Sequence, residues 1–300
     1  MGGRFRPKER RDGGGPLSGS GEFVIPFRNL PAGFAETIAD PPTVPVTPVP
    51  AATIVLLRDE EARLELLLMR RSPKSGFVPG AYVFPGGRVD KPDSLPELVS
   101  LLDNLDRDSA EKRLGKSEEP PAIAYYFAAL REAFEETGIL IGVQKDGSAP
   151  ATAAEDSSVD EIRDALMSER INFHEALQQL GCRITGDKVE YIAHWITPEP
   201  EPRRYDTRFF AAKVHSGATP IVDRREMTEA LWISPQAALT RLDQGDLPMV
   251  FPTIKTIESL SLYESADAAL EGFGSQLVRS IMPTLVVTPT GIGLEINEDD

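Results

Sequence analysis

The chain has 300 residues, 41% of them hydrophobic, with 47 Asp and Glu against 32 Lys and Arg and a formal net charge of −15 at pH 7. Length and apolar content allow one large or two small domains with a real core, while the acidity excludes a general nucleic-acid binder, which needs a basic surface to hold phosphate backbones. The single cysteine, Cys182, excludes an internal disulfide and any cysteine-based metal spacing, and no apolar run approaches the roughly 20 residues that span a bilayer.

Residues 1–48 are rich in Gly, Pro and Arg and are predicted to form a disordered arm, since they bury too little apolar surface to offset the entropy of ordering. The first residues are basic with no apolar stretch behind them, and Arg6 stands where a myristoylation pattern needs Ser or Thr, so a cytoplasmic location without a membrane partner is expected. Ala51–Leu57 and Leu64–Met69, separated by the polar Arg58-Asp59-Glu60-Glu61, are predicted to be a hairpin. Tyr82-Val83-Phe84 is a short strand ending in a Pro85-Gly86-Gly87 turn, where paired glycines let backbone approach a ligand. The charged stretch from about 91 to 121 is predicted to be an insertion, followed by a helix over Ala122–Thr137 that Gly138 ends. Further along, a short strand or exit covers Ile139–Gly142, and a helical insertion lies at about 155–181. Strands are expected at Glu190–Ile196, Thr207–Val214, Glu229–Ile233 and Leu285–Thr288. Helices are expected at Gln236–Asp243, Thr253–Tyr263 and Ser265–Glu271, with an acidic tail over 291–300.

Within the central helix, Glu132, Glu135 and Glu136 stand at i, i+3 and i+4 and share one face, while Ile123, Phe127, Leu130 and Phe134 form an apolar stripe roughly opposite. Three like charges so close repel one another unless a cation sits among them. With oxygen donors and no His or Cys beside them, the fitting cation is Mg²⁺ or Mn²⁺ and not zinc.

Gly87 and Arg131-Glu132-Ala133-Phe134-Glu135-Glu136-Thr137-Gly138-Ile139 resemble the Nudix hydrolases. That family's signature is a glycine, five residues, a glutamate, seven residues, then Arg-Glu, an aliphatic position, any residue, Glu-Glu, any residue, Gly and an aliphatic residue. The second half matches at every fixed position. In the first half Gly87 stands about 30 residues too far from Arg131, and Ile123 occupies the glutamate position counted back from the arginine, so the loop glutamate is expected to be missing or displaced. The interruption is similar to that of the peroxisomal-type coenzyme A diphosphatases. So are Leu67-Leu68-Met69-Arg70-Arg71-Ser72, His194-Trp195-Ile196-Thr197-Pro198 and Arg203-Arg204-Tyr205-Asp206-Thr207-Arg208-Phe209-Phe210.

The resemblance implies an α/β Nudix fold, a mixed β-sheet sandwiched between helices, as a single domain over residues 49–290. It implies a metal-dependent hydrolase that cleaves a diphosphate joining a nucleoside to another group. Coenzyme A or acyl-coenzyme A leads as substrate, with ADP-ribose, NADH or a nucleotide sugar as alternatives and a non-catalytic ligand sensor as a second class. By position, Glu132, Glu135 and Glu136 become metal ligands with the Gly86 carbonyl, and Glu226, six residues before Trp232, supplies a further acid to the metal set, with Glu229 as its alternative. Arg131 orients the cluster. Gly87, Arg70, Arg71, Arg203, Arg204 and Arg208 are the candidate substrate contacts, because Arg recognises anions bidentately. The general base is left open between Glu132 and Glu226. Tyr205, Phe209 and Phe210 either border an adenine pocket or belong to the core. The expected partner is a small nucleotide, and a homodimer is possible.

Overall fold

The computed structural model describes residues 23–26, 38, 44–75, 78–222 and 226–296. The chain runs through β1 (Phe23–Pro26), β2 (Val49–Glu60), β3 (Arg63–Arg71), β4 (Tyr82–Val83) and β5 (Gly86–Arg88). It continues through α1 (Pro96–Val99), β6 (Leu102–Asp103), α2 (Arg107–Leu114) and the central α3 (Ala122–Thr137). Then come α4 (Ser157–Met167), α5 (Phe173–Leu180), β7 (Ile184–Thr185), β8 (Val189–Ile196), β9 (Tyr205–Lys213) and β10 (Met227–Ile233). Helices α6 (Pro235–Asp243), α7 (Phe251–Leu260) and α8 (Ala266–Gly274) precede β11 (Ser280–Ile281), β12 (Thr284–Val287) and β13 (Gly291–Glu295).

The central sheet has the order β10-β3-β2-β9-β8-β11, with β4 on β3 and β5 on β2. It is mixed: β2 runs parallel to β9 and β8 parallel to β11, while the other pairs are antiparallel. The hairpin of β2 and β3 turns at Glu61 and Ala62, both at positive φ (47° and 60°), the primed turn whose twist suits paired strands. Side-chain alternation sorts the strands between two cores. Ile54, Leu56, Leu67, Met69, Phe210 and Ala212 belong to the core built with α3, and Val55, Leu57, Leu66, Leu68 and Ala211 to the core that holds the buried side chains of α6, α7 and α8. The result is the expected helix–sheet–helix sandwich, each fully buried Leu or Ile contributing on the order of 1.5–3 kcal/mol.

Helix α3 has the predicted ends. Pro121 is its N-cap, and Gly138 takes the left-handed conformation (φ 68°) and donates its N–H to the Phe134 carbonyl at 2.9 Å. A Cβ at Gly138 would also lie 2.7 Å from Ala153 and 2.9 Å from Ile221, so glycine is required there twice over. The apolar stripe is buried as expected, but so are Tyr125, Tyr126, Ala128 and Ala129, because α2 and α4 pack on the helix where a simple amphipathic reading leaves solvent.

Several expectations change. Gly86 and Gly87 do not make a turn: they form β5, with Gly87 opposite Ala52 and Gly86 opposite Thr53. Residues 139–142 are an irregular exit, anchored by the bridge of Val143 to Arg183. The arm over 1–48 contributes β1, and the tail over 291–300 contributes β13, because the two pair from Phe23↔Leu294 to Pro26↔Gly291. Residues 1–22, most of 27–43 and 297–300 lie outside the described residues. The predicted insertion over 91–121 holds α1, β6 and α2, but its first three residues belong to the functional site.

Candidate active site

The carboxylate-bearing C-terminal half of α3 packs against β5, so that helix and strand confront each other across very little space. A Cβ at Gly87 would collide with the Glu132 carboxylate, and one at Gly86 would lie 2.6 Å from the Ala52 carbonyl oxygen. The two glycines are what lets the helix glutamates close on the strand. In the β2–β5 ladder the Ala52–Gly87 position is flanked by bonds from Ile54 N to Pro85 O and from Val89 N to Pro50 O. By antiparallel alternation the Gly86 N–H and carbonyl therefore turn away from β2. The N–H donates to Glu136 at 3.2 Å, and the carbonyl leaves the strand on the same edge.

Arg131 organises the carboxylates. Its Nη1 donates to Glu132 at 2.8 Å and to Glu135 at 2.9 Å, and Nη2 donates to the Arg88 carbonyl at 2.9 Å. The other edge of the guanidinium grips Asp93, Nε to Oδ1 at 2.9 Å and Nη2 to Oδ2 at 3.0 Å. Asp93 is only 1% exposed and also accepts the Asp90 N–H at 2.8 Å. Burial works against the charge on Arg131, but Asp93, Glu132 and Glu135 outweigh it and raise its pKa, so the arginine is held fully charged.

Asp93 corrects the sequence reading. The loop acid is neither missing nor represented by Ile123, which is buried in the core. Asp93 stands six residues after Gly87, the spacing the signature gives its glutamate, and the 37 residues between Asp93 and Arg131 replace the usual seven. Counting forward from the glycine finds it. The extra segment loops out after the acid, not before it.

Burial, and next the neighbouring Glu135 charge opposed by Arg131, pushes Glu132 up to about 7. Glu136 is raised well above the ordinary carboxylate range by burial and by the Glu132 charge, with Glu226 adding to the repulsion and Arg71 opposing it. Glu135 is raised by burial against the pull of Arg131. Among the described residues, no three His, Cys, Asp or Glu side chains enclose a common point as they stand, since Arg131 draws Glu132 and Glu135 aside and Gly86 holds Glu136. The donor chemistry nonetheless fits a hard divalent cation: carboxylate oxygens, a turned-out carbonyl, no nitrogen or sulfur ligand, and buried negative charge in excess of the arginine.

The three glutamates, Arg131, Gly86, Gly87 and Glu226 line one broad cleft of about 2310 Å³. Glu226 is exposed at its rim, just before β10. Arg71 also lines the cleft, its guanidinium on the Ser75 hydroxyl (3.0 Å), and so does Arg203. Three expected substrate contacts are elsewhere. Arg70 pairs with Glu229 at 3.6 Å and stacks over Tyr82, which itself donates to Glu229 at 2.9 Å, so the alternative acid is a structural partner. Arg204 is buried and binds the Thr197 carbonyl at 2.9 Å and the Val46 carbonyl at 2.8 Å. Arg208 lies on the face toward α3, bound to Asp206 and stacked 4.5 Å over the Tyr125 ring; Asp206 also pairs with His194. Strand alternation explains the split, for Tyr205, Thr207 and Phe209 line the cleft and Phe210 is core.

One functional contact had no sequence signal. Arg163 of α4 donates from Nε to the Glu135 carbonyl at 2.7 Å and to the Phe134 carbonyl at 3.2 Å, capping the last turn of α3. It lies in the helical insertion, where nothing in the local pattern marks it.

A family profile described as the NUDT19 Nudix domain matches residues 40–260. The chain belongs to this Nudix family. Among similar proteins, the acyl-coenzyme A diphosphatase NUDT19 of Gallus gallus is 29% identical over 69% of this chain and 66% of its own length. The protein of the same name from Xenopus laevis is 27% identical over 58% of this chain and 54% of its own length. The match thus spans about half to two thirds of these relatives. A crystal structure of a Nudix hydrolase from Alicyclobacillus acidocaldarius, 28% identical, superposes with a TM-score of 0.59 over 75% of this chain and 96% of that one. Shared architecture at that identity confirms the Nudix fold.

Proposed function

We propose that this Nudix chain hydrolyses the diphosphate bond of coenzyme A or, preferentially, acyl-coenzyme A, with Mg²⁺ or Mn²⁺. The observation that carries the reading is the set of buried glutamates on α3, fixed by Arg131 and Asp93 against the Gly86-Gly87 strand in an open cleft. The activity for which these relatives are named supplies the substrate class. Glu132, Glu136 and the Gly86 carbonyl would hold the cation, with Glu135 beside them. When bound, the cation neutralises diphosphate charge, acidifies water and stabilises the leaving oxygen.

The chain's own residues do the rest. Arg131 keeps Glu132 and Glu135 at fixed orientations without spending its charge on solvent. Arg71 and Arg203, on the cleft wall, meet the substrate phosphates. Glu226, exposed at the rim and close enough to raise the Glu136 pKa, takes the proton of the attacking water. Water adds to one phosphorus, the bridging oxygen leaves with the other, and two phosphomonoesters result.

The test is a substrate panel of coenzyme A, acyl-coenzyme A, ADP-ribose, NADH and nucleotide sugars with each metal. The expected result is fastest turnover of the coenzyme A compounds. Glu136→Gln should lose turnover by about 10²-fold or more together with metal affinity, and Glu226→Gln should lose turnover while keeping metal affinity. A higher kcat/KM on ADP-ribose overturns the substrate assignment.

A further inference from the structure

The family match covers residues 40–260, and β1, β11, β12 and β13 lie outside it. Three of them form one sheet, β1-β13-β12, drawn from opposite ends of the chain. This sheet closes onto the cleft. The Phe23 and Phe251 rings are 5.4 Å apart, and Phe251 in turn meets the Trp195 ring edge-on at 5.8 Å. Phe23, Val24, Ile25, Trp195, Phe251 and Leu294 line the same cleft as Glu132, Glu135 and Glu136.

The six carry no charge, in contrast to the arginines and glutamates that share the cleft. Phe23, Val24, Ile25 and Leu294 are only half-buried, which leaves apolar surface turned toward whatever occupies the space. Trp195 adds a buried indole N–H with no hydrogen-bond partner among the described residues, a group whose burial costs free energy until a carbonyl meets it. Rings and aliphatic side chains around an unmet donor suit a flexible apolar chain that carries amide or thioester carbonyls. They do not suit a phosphate, which needs charge or several donors.

We propose that the terminal sheet forms the subsite for the acylated arm of the substrate, with Phe23 and Leu294 setting the preference for acylated over free coenzyme A. The proposal rests on the coenzyme A reading above. Continuity of the cleft supports it: a diphosphate held at the glutamates leaves its non-nucleotide arm in the same open space. The terminal sheet is then a specificity element that lies beside the catalytic body.

The experiment compares kcat/KM for decanoyl-coenzyme A and coenzyme A in the full chain and in the Phe23→Ser/Leu294→Ser variant. The acyl-to-free ratio should fall about tenfold or more, the loss expected when a few methylenes give up their apolar contacts. An unchanged ratio with an active wild-type chain overturns the subsite alone. A wild-type chain inactive on both compounds overturns the coenzyme A reading and the subsite with it. A second measurement does not depend on how that variant folds. In Glu136→Gln, decanoyl-coenzyme A should change tryptophan fluorescence more than coenzyme A does, and Trp195→Phe should abolish the difference. Equal responses, or a difference that survives Trp195→Phe, would also overturn it.

Discussion

Replacing Asp93 by Asn tests the corrected loop acid most sharply. The substitution keeps the side chain's shape but removes the charge and one acceptor facing Arg131, which Asp93 grips at 2.9 and 3.0 Å. Asp93 is 1% exposed, so no water replaces the lost contact. Breaking a buried pair costs about 3–5 kcal/mol. Because Arg131 keeps Glu132, Glu135 and the Arg88 carbonyl, the lower end, about 3 kcal/mol, is expected. For a domain of this size that corresponds to a Tm drop of roughly 6–12 °C. Turnover should fall further than stability explains, since a freed Arg131 no longer holds two glutamates in place. Thermal melting and kcat at a temperature where the variant is fully folded are the assays. Asp93→Glu, which supplies the acid of the family signature, should recover more activity than Asp93→Asn. Wild-type melting and turnover in Asp93→Asn would refute the reasoning.

Glu132 is raised to about 7 from an unfolded value of 4.5, so the folded metal-free chain binds more protons than the unfolded chain in between, and its stability falls as pH rises through that window. Mg²⁺ should therefore stabilise it more at pH 8 than at pH 5.5 and release protons on binding near neutrality, read by calorimetry in two buffers; equal metal affinity at both pH values would contradict this. Gly87→Ala drives a methyl into the Glu132 carboxylate and should lower kcat by about 10²-fold with the chain still folded, checked by circular dichroism beside turnover. Arg163→Met removes the cap on the Phe134 and Glu135 carbonyls and should cost about 1.5–3 kcal/mol in denaturant unfolding along with reduced kcat. Arg204→Ala should destabilise by a similar amount of about 1.5–3 kcal/mol without changing KM, whereas Arg71→Ala should raise KM with little change in melting.

How far each feature could be read from the residues follows from whether its cause is local. Helix α3 was legible to the residue because period, proline start and Gly138 stop are all local, and the grouping of Glu132, Glu135 and Glu136 follows from helix geometry alone. Asp93 was legible too, but only by counting from Gly87; the inserted α1, β6 and α2 separate it from α3, so counting back over seven residues from Arg131 stays within the helix and lands on Ile123. Arg204 and Arg208 show a limit of residue type: an arginine announces anion binding equally well when it ties down carbonyls or an aspartate on the far face of a strand. The β1–β13 pairing joins opposite ends of the chain, and no short-range pattern encodes a partner so distant. Arg163 is of the same kind, a capping residue supplied by another helix.

The most direct measurement is mass analysis of the products formed from decanoyl-coenzyme A in ¹⁸O-labelled water with Mg²⁺. The expected products are 3′-phosphoadenosine 5′-phosphate and decanoyl-phosphopantetheine, with one labelled oxygen on one of the two phosphates, and none of either with EDTA or in Glu136→Gln. Cleavage at the thioester, or diphosphate cleavage that persists in Glu136→Gln, would contradict the proposal that this chain cleaves the coenzyme A diphosphate through the α3 glutamates.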